Sequence, residues 1–194
     1  MAVNVSNAFV ANPIDSGVLF SANLGTIMPT DAEVALDADF LANDHGAVGE
    51  DGFTVSPTRS SKDIKMFGGG VFIDVQDEYT ETVKIVLLEE DNDAVIKSTF
   101  GDANLTVTTA TPTDGTKRTI YHTDDPLPIK SWVVQAKSGD KRKRFAIEKA
   151  RVSEVAEIKN QHSDVTRSEL TLKVFKGSNG KYVVEHRDDG KPTP

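Results

Sequence analysis

The stretch YTETVKIVLLEEDNDAVIKSTFG, residues 79–101, decides the fold. Within it Val83, Ile85 and Leu87 share one face at the period-two spacing of a strand. On the opposite face Thr80, Thr82 and Lys84 are polar whereas Val86 and Leu88 are apolar, so one end of the strand is expected to be covered on both sides. Asp91 or Asn92 then supplies a short side-chain acceptor for an unpaired N–H of a helix first turn, and Asp93 suits the positive end of its dipole. Ile96 and Phe100 lie four apart on one helical face, and Gly101 stands where a helix needs its stop. A helix of about two to three turns is unstable alone in water. Ile96 and Phe100 are therefore expected to seat it on the sheet beside Val83, Ile85 and Leu87.

Outward from this unit the chain reads as strands and turns. Residues 1–16 form an extended arm, and Gly17 leads into a short strand, Val18 to Phe20, with Pro13 and Pro29 on either side. Residues 30–62 are polar and turn-rich with no sustained period, which predicts a projecting loop with room for one small hairpin. Val71, Ile73 and Val75 alternate with Phe72, Asp74 and Gln76 in a strand whose entry is loosened by Gly68, Gly69 and Gly70. Further strands are expected around Leu105 and Val107, over Thr119 to His122, at Trp132, Val134 and Ala136, and over Arg142 to Glu148 with Phe145 and Ile147 inward. Ala150 to Lys159 fits either period, and its place between strands favours strand. Leu170, Leu172 and Val174 alternate, GlySerAsnGly at 177–180 predicts a tight hairpin, and Tyr182 to Glu185 is its return strand. Residues 188–194 read as a disordered tail after a domain of residues 17–187. The sum is a mainly β chain: a β-sandwich or barrel of about eight strands with one flanking α-helix.

Composition and motifs exclude more than they assign. With 38% hydrophobic and 27% charged residues the chain has the make-up of an ordinary soluble domain, and no apolar run has the length of a membrane span. It contains no cysteine, which removes disulfides, thiolate metal sites and cysteine nucleophiles. His45, His122, His162 and His186 are scattered without metal-ligand spacing and read as surface residues. The acidic run Glu89 to Asp93 lacks the ligand ladder of a calcium loop and reads as helix capping. The run Lys141 to Arg144 alternates across a strand without interleaved aromatics, which favours a solvated strand end over a nucleic-acid patch. No local constellation assembles a nucleophile, base and oxyanion site, so no enzyme activity and no cofactor is expected.

The ordered features resemble a family, the major tail proteins of long-tailed, non-contractile bacteriophages, which are the subunits of the tail tube. The features are Gly17 to Phe20 leading to Gly25, Thr26 and Pro29, an acidic loop with Glu50, Asp51, Gly52, Phe53 and Thr54, and the glycine run before a strand within Lys62 to Val75. The Thr-rich strand and Asn-x-Ala-Val helix of Thr80 to Gly101 follow, then the long strand Phe145 to Ile158 and a final hairpin. The style is closest to proteins of actinobacteriophages. The resemblance implies a subunit that assembles into hexameric rings stacked as a tube, a conduit through which DNA passes without specific binding. It implies tape-measure, tail-terminator and distal tail proteins as partners, no membrane, and a place in the virion tail after assembly in the host cytoplasm. On this resemblance Asp44, Glu50, Asp51 and Phe53 belong to an inter-ring loop, and Glu81 and Glu89 face the lumen. The net charge of -8 suits a wall that DNA slides past, since phosphate grip needs unpaired Lys and Arg. The alternative from another class is a non-catalytic β-sandwich binding module, either a virion decoration protein or a carbohydrate-binding domain.

Overall fold

In the computed structural model, which describes residues 3–191, the apolar run around Ile85 is the inner end of a 17-residue strand, β3 (Val71–Leu87). The described residues form nine strands: β1 (Leu19–Ala22), β2 (Val48–Lys65), β3, β4 (Leu105–Thr108), β5 (Lys117–Ile120), β6 (Lys130–Ser138), β7 (Lys141–Val155), β8 (Ser168–Val174) and β9 (Val184–Asp188). Seven form one antiparallel sheet in the order β1-β6-β7-β8-β3-β2, with β9 on β7, and β4 pairs with β5 in a separate small sheet. The fold is mainly β, with two short α-helices, α1 (Ala38–Leu41) and α2 (Asp93–Phe100). No helix among the described residues is long and apolar enough to cross a membrane.

The sheet curls, so that Phe53 of β2 meets Phe145 of β7 edge-on at 5.5 Å although β8 and β3 lie between them in the strand order. Its inner face is the main core, where Leu19, Val83, Ile85, Leu87, Trp132, Val134, Ile147, Leu170 and Leu172 are all but fully buried. β1 and β6 are buried on both faces because the chain between β1 and β2 folds back over their outer side. There Phe20, Ala22, Val133 and Phe40 make a second cluster with Met28 and Leu36 packed against it. Double coverage explains why Leu19–Ala22 and Lys130–Ala136 are buried at every position, polar residues included.

Helix α2 follows the sequence reading closely. Asn92 caps it by accepting from the Ala94 N–H at 2.9 Å, and Gly101 ends it at φ 102°, donating its N–H to Lys97 O. The residue that enters the main core is Val95, 1% exposed. Ile96 is buried too, whereas Phe100 is half-buried and packs on the His122 ring at 4.4 Å, beyond β5, not on Val83, Ile85 and Leu87. Replacing Gly101 by Ala forces a side chain into a conformation reserved for glycine, with its Cβ 3.3 Å from Asn104 Nδ2. Gly101→Ala is expected to lower the unfolding free energy by about 1–2 kcal/mol. Urea titration beside Gly115→Ala, a site with open space, measures it.

Several expectations need correction. Residues 30–62 are not a projecting loop: Ala32 and Phe40 are buried on the outer sheet face, His45 is buried at 0% exposure, and Val48–Lys65 is a strand. Arg144 is not on a solvated strand end. It is 5% exposed, its Nε donates to Gln135 Oε1 at 3.1 Å, and its guanidinium donates to the carbonyls of Asp31 and Val34 at 3.0 and 2.7 Å, pinning the outer segment. Arg142 pairs with Glu33 at 3.3 Å. The turn at 177–180 does not join neighbouring strands, because β8 and β9 lie end to end along the same edge of β7, β8 against Ala150–Val155 and β9 against Arg142–Ala146. The chain between them is held out by Glu148, which accepts from the Ser178 N–H and Oγ at 2.9 Å. β9 carries order to Asp188, inside the expected tail, of which residues 192–194 lie outside the described residues. The N-terminal arm is docked from residue 6 onward: Lys141 Nζ donates to the carbonyls of Ser6 and Ala8, the Val10 N–H donates to Ser138 Oγ at 3.1 Å, and Asn12 bridges to Lys137.

Candidate assembly surface

The long hairpin β2–β3 is held in the sheet at one end only. β8 pairs with Thr82 to Leu87 of β3, while Arg59 to Lys65 and Val71 to Tyr79 pair solely with each other. These outer residues form a two-stranded arm, exposed at nearly every position. At its base the Arg59 guanidinium lies 4.8 Å from the Tyr79 ring centroid, and Tyr79 packs on Tyr182 at 4.7 Å and donates to Glu81 Oε2 at 2.9 Å. At its tip Gly68 and Gly69 take φ of 97° and 95°, and the Met66 N–H donates to Gly70 O at 2.7 Å to close the turn. Glycine's freedom is needed at both positions.

A bulge decides what the arm shows. Pairing steps from Ser60↔Glu78 to Ser61↔Gln76, leaving Asp77 without a partner. One extra residue reverses the alternation beyond it. Ile73 and Val75, with the odd-numbered parity of Val83 and Ile85, therefore turn to the opposite face, where they sit across from Ile64 and Lys62. The outcome is an apolar row outside the core: Ile64, Ile73 and Val75 are 50%, 47% and 43% exposed. Phe67 at the tip is wholly exposed, and Met66 and Phe72 beside it are also open to solvent. The tip's charges, Lys62 and Lys65 against Asp63 and Asp74, cancel.

The sequence-predicted site residues fall in three places. Asp44 lies in a segment that covers the edge of β1, bridging to Phe20, with its carbonyl accepting from Asn92 Nδ2 at 3.0 Å. Between Val48↔Leu87 and Phe53↔Ile85 β2 bulges, which lifts Glu50 and Asp51 to the surface, while Phe53 turns in against Phe145. Glu81 shares the core-facing row with Val83 and is 8% exposed, so within the subunit it presents no free carboxylate to a channel. Glu89 is exposed, and its carboxylate accepts from the Ala47 N–H at 2.8 Å and from Asn92 at 3.3 Å.

The arm residues were missed because β2 beyond Val55 carries no apolar alternation. The available signal was the apolar set on both sides of the glycine run, Ile64, Met66 and Phe67 before it and Val71, Phe72 and Ile73 after it, which marks a hairpin turn and not a loosened strand entry.

Beside the bulge of β2 lies a cavity of about 560 Å³ between the N-terminal arm, β2, β6 and β7. Its lining is mostly apolar, with Phe9, Val18, Phe53 and Phe145, and also includes Asn12, Gln135, Lys143 and the exposed Glu50 and Asp51. Among the described residues no three His, Asp or Glu side chains gather as metal ligands. His45 is interior: Nε2 lies 2.8 Å from Ser98 Oγ, Nδ1 3.2 Å from Leu19 O, and the ring packs on Trp132 at 5.5 Å. Burial pushes its pKa down to about 4. No protein-family model matches the chain and no curated protein matches it, so a function has to be argued from these residues.

Proposed function

We propose that this chain is the repeating subunit of the tail tube of a long-tailed, non-contractile bacteriophage, assembling as hexameric rings stacked into a conduit for DNA. The observation that carries the reading is the unpartnered arm. A two-stranded ribbon is marginal in water, and this one holds an apolar row and an exposed phenylalanine out of reach of its own core. Ten residues of β3, Val71 to Thr80, reach roughly 30 Å at strand rise, far enough to contact a second subunit. A projection on one side of a molecule and its receptor on another make a heterologous contact, the kind that closes rings or propagates filaments. The negative balance suits the bore, because DNA slides over a wall that neutralises no phosphates. Arg144, spent on backbone carbonyls, and Arg142, paired with Glu33, fit such a wall. Tape-measure, tail-terminator and distal tail proteins are the further partners this role entails.

A carbohydrate-binding module is less well served. Trp132 is 1% exposed, and Tyr79 and Tyr182 pack on each other and do not form an open platform. Negative-stain microscopy of the purified protein over a concentration series tests the assignment. Rings or tubes with sixfold symmetry are expected. A strictly monomeric particle at the highest concentration overturns it and returns the weight to a binding module.

A further inference from the structure

The geometry points to a receptor for the arm: Phe67 of one subunit inserts into the cavity between the N-terminal arm and the β2 bulge of another copy of the same chain. The inference deepens the tail-tube assignment and rests on it, naming which surfaces meet.

Two incomplete features of the subunit complement each other. Phe67 is a fully exposed aromatic on a hydrogen-bonded glycine turn, and none of the described residues covers it. The cavity is lined by half-buried phenylalanines and by Val18, and at about 560 Å³ it has several times the volume of a benzyl side chain, leaving room for Met66 as well. An aromatic anchor in an apolar pocket is the usual centre of a strong interface. Charge complements the docking without fixing its orientation, because the tip carries two cations and two anions. Lys62 and Lys65 flank the tip, and Glu50 and Asp51 stand on the cavity rim, so insertion places cations against carboxylates; Lys143 at the cavity in turn meets a tip that carries Asp63 and Asp74. Glu50, Asp51 and Phe53, expected from sequence to form a projecting inter-ring loop, thus act as the receiving side. Because plug and receptor are different surfaces, every subunit can give one contact and receive one.

That asymmetry gives a decisive test. Phe67→Ala removes the plug and leaves the receptor. Ala11→Trp fills the receptor from an exposed position on its wall and leaves the plug. Each variant alone is expected to be monomeric by sedimentation velocity, with self-association weakened on the order of 100-fold. An equimolar mixture is expected to give a 1:1 dimer and nothing larger, since only one of the two contacts can form. The chain has no cysteine, so Lys65→Cys mixed with Glu50→Cys, both of which keep Phe67, gives a second readout, a disulfide between the two variants on mild oxidation that neither variant gives when oxidised alone. Should wild type form tubes and Phe67→Ala form them equally well, this docking is wrong and the tail-tube assignment stands. Wild type that stays monomeric throughout overturns both, and a mixture with neither dimer nor crosslink overturns the docking.

Discussion

Replacing residues 60–78 with an Asn-Gly turn between Arg59 and Tyr79 is expected to abolish assembly while leaving a folded monomer. Arg59 and Tyr79 are directly paired, so a two-residue turn closes the shortened hairpin in its existing register. All 19 residues removed are exposed, which leaves the main core and the outer cluster unchanged. The thermal midpoint is accordingly expected to stay within about 2 °C of wild type, or to rise, since a marginal ribbon has been removed. Tubes or rings from the shortened chain would remove the arm from the assembly mechanism. Deleting Asp44 to Gly52, the segment the sequence singles out for ring contacts, is a different experiment. It takes His45 out of the interior and the bridge off the edge of β1, so it is expected to unfold the domain.

Acidification from pH 7 to pH 5 is expected to cost about 2 kcal/mol of stability through His45 alone. Leu19 O can only accept, so Nδ1 carries the proton and Nε2 accepts from Ser98 Oγ. Burial disfavours the charged ring, and the positive charge of Lys130 adds to that, bringing the folded pKa to about 4 against 6.5 for an ordinary histidine. Between those two values the unfolded chain binds more protons than the folded one, so stability is full above pH 6.5 and is lost as pH falls toward 4. The complete span corresponds to about 3 kcal/mol. Asp31 and Glu148, held below the ordinary carboxylate range chiefly by the backbone N–H groups of Val34 and Ser178, add their losses only below about pH 4.5. Urea midpoints of wild type and His45→Gln at pH 7, 6 and 5 separate the effects. The variant is expected to start less stable and to show little further loss, and a slope equal to wild type would exclude His45 as its source.

What was legible in the sequence is local. The period-two row Val83, Ile85 and Leu87, the Asn92 cap and the Gly101 stop follow from backbone geometry and short-range hydrogen bonding, and each appears in place. The β2 half of the arm was illegible for a physical reason. A ribbon with water on both faces has no burial to impose a period, so Ser56 to Lys62 reads as loop although it is strand. His45 and Arg144 look like surface residues because their partners, Ser98, Leu19 O, Asp31 O and Val34 O, lie 26 to 113 positions away. The composition, the strand character and the docked helix were thus determined by the sequence alone. Tertiary structure decided which polar residues go inside, how β8 and β9 share one edge of β7, and that the bulge at Asp77 turns Ile73 and Val75 away from the core. Those outcomes depend on pairings between distant segments, and a one-residue step in register reverses the face to which a side chain belongs.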